Sequence, residues 1–166
     1  MLKKLTLVLA VVGVSAAVAV PSATAGNAHF IKSATSASLS GSTLVCTFKE
    51  AGLESGSTET VTCSANATTT YECVNGGNKN PSAANKTTTQ SAVSGSGKFT
   101  ADKNGNITGS VTASPPTAAD LGFSCPPGQT VTFVSVSYSG VAINDTTSGA
   151  SLSLGGPFSF TNPSAP

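Results

Sequence analysis

The sequence predicts an all-β domain in which two sheets pack as a sandwich. Ser, Thr, Asn, Val and Gly dominate the chain beyond its first 25 residues, and these residues favour pleated strands and tight turns over helices. Short stretches of alternating polar and apolar residues are separated by turns rich in Gly, Asn and Pro. The hydrophobic residues are numerous enough, at 39% of the chain, to form a packed core.

The alternation locates the strands in chain order. The clearest segment is 43–49, where Leu44, Cys46 and Phe48 share one face of a strand. Asn104-Gly105 lies between two β-prone segments and predicts a type I′ hairpin, because both central residues of that turn need positive φ. The predicted strands are 28–33, 37–40, 43–49, 59–65, 68–74, 86–94, 97–101, 106–113, 130–145 and a last one around 150–154, after which Phe158 and Phe160 close the edge.

The longest predicted strand, 130–145, does not keep a single period of two. Its apolar residues change parity near Phe133–Val134 and again at Gly140. A bulge adds one residue to a strand and restores the inward face, so we expect bulges at both places. About eight to ten short strands without a credible helix then indicate an immunoglobulin-like two-sheet β-sandwich.

Residues 1–25 have the three-part layout of a secretory signal peptide. Two lysines form a basic head, residues 5–20 are uncharged and apolar, and small residues at 23–25 suit signal peptidase. A membrane anchor is disfavoured because the apolar run is short for a bilayer span. We therefore expect a secreted, extracellular protein with one β-sandwich domain over residues 26–166.

Four cysteines in an exported chain predict two disulfides, for which three connectivities exist. Cys46 and Cys63 lie on the inward faces of consecutive strands, where a hairpin would bring them together. Cys73 then pairs with Cys125. A metal site is disfavoured because the chain has no C-x-x-C pair and its single histidine is distant, so we expect no metal and no cofactor.

Charge excludes two classes of partner. The mature chain has six lysines, no arginine and seven acidic residues, which leaves a net charge of −1 with the histidine neutral. Nucleic-acid binding depends on Lys and Arg, and attachment to an anionic membrane needs a basic patch. We therefore expect a monomer with no nucleic-acid partner and no membrane insertion after signal cleavage.

No catalytic constellation emerges from the sequence. The only imidazole is His29, and no G-x-S-x-G elbow is present. Glycoside cleavage would need two carboxylates, and the candidates are Glu50, Glu54, Glu59 and Glu72. Because the first three cluster around one turn, we interpret them as solvated surface acids, and we expect no enzymatic activity.

Two alternatives remain open at this stage. An extracellular hydrolase would use the carboxylates between Glu50 and Glu59. A weak carbohydrate-binding module would need aromatic rings to stack on sugars, but the chain has no Trp, and we place its only tyrosines, Tyr71 and Tyr138, at the core or its margin.

The segment 75–85 is the candidate binding loop. It is long and polar, and binding residues are often carried on loops that a rigid scaffold holds. Its amides can donate and accept hydrogen bonds, and its lysine adds a charge. The candidate contact residues are Asn75, Asn78, Lys79, Asn80 and Asn85, and the expected partner is an extracellular protein or a cell-surface component.

The same region carries a family resemblance. Residues 71–86 read Y-E-C-V-N-G-G-N-K-N-P-S-A-A-N-K. This segment resembles a C-[VI]-N-G-G-x-K-N-P-x-A-A-N-K cassette of small secreted β-rich proteins from actinobacteria and filamentous fungi. Shorter similar pieces are A-H-F at 28–30, F-K-E-A-G-L at 48–53 and F-S-C-P-P-G-Q at 123–129. The resemblance implies a secreted single β-rich domain and no particular activity.

Overall fold

The computed structural model of the protein describes residues 26–77 and 85–166. The predicted signal peptide, residues 1–25, lies outside these ranges. Within them the chain forms nine strands and one 3₁₀ turn, Lys32–Ala34, which follows the first strand. The strands are β1 His29–Phe30, β2 Ser36–Ser40, β3 Thr43–Ala51, β4 Thr58–Val74, β5 Lys86–Thr100, β6 Ile107–Ala113, β7 Thr130–Asp145, β8 Ser151–Gly155 and β9 Phe158–Thr161.

Two antiparallel sheets pack face to face, which confirms the predicted all-β sandwich. In the first sheet β3 is central, with β1 and β2 along one edge and β6 along the other. In the second sheet β5 flanks β4, β4 pairs with β7, and β8 and β9 both pair with β7. The chain crosses from one sheet to the other between β3 and β4, between β5 and β6 and again between β6 and β7.

The two longest strands of the second sheet are continuous where the sequence suggested breaks. Segments 59–65 and 68–74 form one strand, β4, of 17 residues, and β5 runs through 15 residues. Alternation is kept across the suggested break in β4, because Ala65 and Ala67 are buried while Asn66 between them is exposed. A polar residue at an outward position does not end a strand.

Both predicted bulges in β7 are confirmed. In the pairing of β4 with β7, two residues of β7, Gly140 and Val141, stand opposite the single residue Ala65 of β4, and Gly140 has a φ of +61°. The pairing skips another residue, Val134, between Phe133 and Ser135. The extra residues return the apolar side chains of β7 to the core after each change of parity.

Both predicted disulfides are confirmed. Cys46 bonds to Cys63, with the Cα atoms 6.0 Å apart, and Cys73 bonds to Cys125, with the Cα atoms 5.6 Å apart. The predicted reason for the first pair was wrong, because β3 and β4 do not form a hairpin. They belong to opposite sheets, so the Cys46–Cys63 bridge crosses the core.

The predicted hairpin at Asn104-Gly105 is also wrong, although the turn itself is present. Gly105 has a φ of +73°, and its amide donates to the Asp102 carbonyl at 3.0 Å. The flanking strands then separate, because β5 pairs with β4 and β6 pairs with β3. The turn therefore carries the chain from one sheet to the other.

The core lies between the two central strands of the second sheet and β3. Phe48 is fully buried, and its ring packs edge-on against Phe30 and Phe99, with centroids 5.9 and 5.0 Å away. Tyr138 is also fully buried, and its hydroxyl donates to the Ser42 carbonyl of the other sheet at 2.7 Å. One aromatic ring and one hydrogen bond of Tyr138 therefore join the two sheets.

We expect Tyr138→Phe to lower the free energy of unfolding by about 1–2 kcal/mol, because it keeps the ring but leaves the half-buried Ser42 carbonyl without its donor. Urea unfolding of the mature domain measures the difference. Tyr71→Phe is the matched control, since the Tyr71 hydroxyl also donates to a carbonyl, that of Pro116 at 3.0 Å, from a less buried position. A loss for Tyr138→Phe no larger than that for Tyr71→Phe would contradict this role.

Candidate functional site

The predicted binding loop joins the end of β4 to the start of β5 at one end of the sandwich. Residues 75–77 and Asn85 are described; Asn78, Lys79 and Asn80 lie outside the described residues. At the first stem the side-chain oxygen of Asn75 accepts a 3.0 Å hydrogen bond from the Gly77 amide. The asparagine at this stem thus shapes the chain as it leaves β4.

The base of the loop is fastened to the rest of the domain on both sides. Three interactions hold it. Two of them reach the proline-rich connection between β6 and β7, and the third joins the two strands that carry the loop. They are the Cys73–Cys125 disulfide, a 3.0 Å hydrogen bond from Asn85 Nδ2 to Gln129 Oε1, and a 3.3 Å ion pair between Lys86 and Glu72.

The ion pair at this base has one buried partner. The Glu72 side chain is 3% exposed, whereas that of Lys86 is 45% exposed. A carboxylate held away from water needs compensating contacts, and the Lys86 ammonium supplies one of them. The ion pair therefore fixes the register of β4 and β5 directly beneath the loop.

An aromatic layer supports the proline-rich connection. The Tyr71 ring meets Phe133 at a centroid distance of 5.5 Å, and Phe133 stacks on Phe160 at 6.2 Å. Burial raises the pKa of the Tyr71 hydroxyl, which donates a hydrogen bond to the Pro116 carbonyl. Both tyrosines therefore lie at the core or its margin, as predicted, and neither presents a free ring face for a sugar.

A second polar surface lies at the opposite end of the sandwich, beside the turn that follows β5. It is an open groove of about 490 Å³. Asp102 shapes its rim, because Asp102 Oδ1 accepts hydrogen bonds from the amides of Asn106 and Asn104 at 2.9 and 2.8 Å, which lower the pKa of Asp102. The lining residues are Lys49, Phe99, Thr100, Asp102, Asn104, Asn106, Ile107 and Thr108.

Near the same end, three acidic side chains are buried, and this corrects the interpretation of Glu50 and Glu59 as solvated surface acids. Glu50 is 0%, Glu59 3% and Asp145 1% exposed. Glu54, on the turn between the first two, is the exposed acid of this region. We call Glu50, Glu59 and Asp145 the carboxyl cluster.

Each member of the carboxyl cluster has one oxygen that accepts a hydrogen bond from a neighbouring turn. Ser148 donates to Glu50 at 3.0 Å, Ser57 donates to Glu59 at 2.5 Å, and the Thr147 amide donates to Asp145 at 2.8 Å. The Ser148 bond joins the turn after β7 to β3, and so connects the two sheets at this end.

Burial is the main cause of the altered acidity in the cluster. It raises the pKa of Glu50 to about 7, with a further contribution from the charge of Asp145. It also raises the pKa of Glu59, against the lowering effect of the Ser57 hydrogen bond. Water is excluded from these carboxyl groups, so their charged forms are disfavoured.

The sequence contains a signal for the carboxyl cluster, namely the parity of the three strands that carry it. Glu50 continues the inward parity of Leu44, Cys46 and Phe48 by one more step along β3. In the same way Glu59 precedes Val61 on β4, and Asp145 follows Ile143 on β7. Extending each period of two by one residue would have placed all three acids inward at the same end of the sandwich.

The positions of the candidate catalytic groups do not form an accessible site. Glu50 and Glu59 are buried, and the exposed Glu54 lies apart on the turn. His29 is exposed on β1, with its ring Nδ1 2.7 Å from the Asn27 carbonyl. A substrate would reach Glu50 only after the end of the sandwich had opened.

Two further observations bear on partners. Across residues 26–77 and 85–166, no group of three or more His, Cys, Asp or Glu side chains is arranged to hold a metal ion. No helix in this part of the chain is long and apolar enough to cross a membrane.

Comparison with protein families, with curated proteins and with solved structures found no match to this chain. The resemblance of residues 71–86 to a secreted bacterial and fungal cassette therefore stays a prediction from the sequence.

Proposed function

We propose that the protein is a secreted, non-enzymatic binding module that presents the loop 75–85 to an extracellular protein or a cell-surface component. The observation that carries the proposal is the fastening of the loop base by a disulfide, a side-chain hydrogen bond and an ion pair. A loop held at both stems loses less conformational freedom when it binds. Its rigid base would therefore favour affinity.

The composition of the loop indicates the chemistry of the partner. Its amide side chains offer donors and acceptors together, and Lys79 provides a single positive charge. Such a surface suits a polar partner with accessible carbonyl, hydroxyl or carboxylate groups. The two disulfides support an extracellular setting, because disulfides persist in oxidising compartments.

A protein or cell-surface partner is favoured over a simple sugar. Sugar-binding surfaces present aromatic rings, and both tyrosines are engaged in the core or at its margin. The groove at the other end offers Phe99, but that ring packs perpendicular to the buried ring of Phe48. A mainly polar contact surface at the loop follows from this distribution of aromatic residues.

The test is the triple variant Asn78→Ala, Lys79→Ala, Asn80→Ala. Fluorescently labelled mature domain is titrated onto intact cells of the producing strain, onto the same cells stripped of surface protein by protease, and onto a glycan array. We expect at least about a tenfold loss of affinity for intact cells, roughly 1.4 kcal/mol, with the melting temperature within about 2 °C of the wild type.

The matched control changes the turn at the opposite end, Lys103→Ala with Asn104→Ala, and should bind like the wild type. Unchanged binding by the loop variant together with a lowered melting temperature would show that the loop is structural. Binding that survives protease treatment and appears on the glycan array would favour the carbohydrate-binding alternative.

A further inference from the structure

The carboxyl cluster brings three acids from three strands to one place without a cation. Glu50 comes from β3, Glu59 from the start of β4 and Asp145 from the end of β7. Burial raises the pKa of Glu50 and of Glu59, and the neighbouring Asp145 carboxyl group raises both further. Among the described residues the only ion pair is the one between Lys86 and Glu72, at the other end of β4.

Each acid has one buried oxygen that no amide, hydroxyl or ammonium group of the described chain reaches. These atoms are Glu50 Oε2, Glu59 Oε2 and Asp145 Oδ2. A buried oxygen without a donor costs free energy, and two ionised carboxylates repel each other. A proton shared between neighbouring carboxyl groups removes both penalties, since it supplies the missing donor and cancels one charge.

We propose that the carboxyl cluster is a proton-binding site that closes this end of the sandwich at acidic and neutral pH and loosens it when the shared proton is lost. The closed form depends on carboxyl–carboxylate hydrogen bonds between Asp145 and its two neighbours. Loss of the proton leaves adjacent negative charges in the core, where Ser148 ties β3 to the opposite sheet. Separation of the two sheets at this end relieves the repulsion.

The other titratable groups nearby do not neutralise the cluster. His29 on β1 is exposed and its ring meets the Asn27 carbonyl. Lys49 on β3 lines the groove and interacts with Asp102, while Lys98 on β5 and Glu54 on the turn are exposed. On the neighbouring strand β6, the residue paired with Glu50 is the uncharged Ile107. The turn after β7 contributes the uncharged Thr147 and Ser148.

The direction of the pH effect follows from the pKa of Glu50. The ordinary pKa of a glutamate side chain is 4.5 and that of Glu50 in the folded protein is about 7, so the folded state holds the extra proton between these pH values. Stability is therefore full below about pH 4.5 and falls as the pH rises to about 7. From Glu50 alone, the unfolding equilibrium constant should rise by up to about 300-fold over this window.

The experiment measures urea unfolding of the mature domain from pH 5 to pH 8 for the wild type, Glu50→Gln and Glu54→Gln. Gln at position 50 can donate a hydrogen bond to Asp145 at every pH, so it imitates the protonated acid. We expect the rise in the unfolding constant to shrink to about tenfold or less in Glu50→Gln, with the remainder due to Glu59. Glu54→Gln, the exposed control on the adjacent turn, should follow the wild type.

The proposal would be overturned if the unfolding constants of the wild type and of Glu50→Gln rose equally with pH. It would also be overturned if the unfolding constant of the wild type did not rise with pH. If Glu50→Gln does not fold, ¹³C NMR of the side-chain carboxyl groups in the wild type tests the proposal by measuring the pH at which each group titrates. At least one glutamate should titrate near pH 7. Titration of all seven acids of the mature chain below pH 6 would refute a shared proton.

Discussion

Replacing Cys46 and Cys63 together by alanine will lower the free energy of unfolding by about 4 kcal/mol. Loss of a 17-residue crosslink accounts for about 3 kcal/mol in the chain-entropy model. The rest comes from the packing of two sulfur atoms, since both cysteines are 0% exposed between the sheets. Urea unfolding of the double variant against the wild type, under non-reducing conditions, measures the loss.

The second disulfide provides the matched comparison. Cys73→Ala with Cys125→Ala removes a crosslink of 52 residues, which the same model values at about 4 kcal/mol, but Cys125 is only partly buried. We expect a similar total loss with a smaller packing share. A cost below about 1 kcal/mol for the Cys46 and Cys63 variant would show that this bridge does not hold the sheets together.

Gly95→Ala is expected to destabilise the domain by about 3 kcal/mol or more. A Cβ atom at this position would lie 1.7 Å from the Thr112 carbonyl oxygen. The clash is with backbone, so no side-chain rotation relieves it, and β5 must move away from β6. Gly95 is also paired with Cys63 on the neighbouring strand β4, so the displacement would occur beside the disulfide that crosses the core.

Gly76→Ala is the control for Gly95→Ala, because a Cβ at Gly76 meets nothing within 4 Å. We expect its stability to stay within about 0.5 kcal/mol of the wild type. Thermal and urea unfolding of both variants test the difference. Equal stability of the two would mean that the close approach of β5 and β6 is not required. Because Gly95 neighbours the disulfide, its effect should not add simply to that of the cysteine variants.

The sequence alone was sufficient for features that depend on local periodicity. The positions of the strands, both bulges of β7 and the inward faces of Cys46 and Cys63 follow from alternation, because one face of each strand must be buried. These periodic features need no knowledge of which strand lies beside which. The pairing of the cysteines was also correct, but Cys46–Cys63 was inferred from a hairpin of β3 and β4 that does not form.

Features that depend on the packing of sheets could not be predicted in the same way. The chain on either side of Asn104-Gly105 has the local pattern of a hairpin, but the two strands enter different sheets, which the local pattern does not reveal. Similarly, Glu50 and Glu59 have the polarity of surface residues and the parity of core residues. Only the meeting of three strands at one end explains how the core accommodates them.

The long strand β5 has a consequence for self-association. It pairs with β4 alone among the described strands, and an edge strand of this length can recruit a second copy through its free amide and carbonyl groups. Beyond Ser94, β6 of the other sheet packs closely against β5, as the contact between Gly95 and the Thr112 carbonyl oxygen shows. Towards its start β5 presents Thr, Ser and Gln side chains rather than a large apolar face, and Lys86 stands at its first position. Lys86 thus holds Glu72 at the loop base and also places a charge at the edge of β5, where charged side chains work against the addition of a further strand.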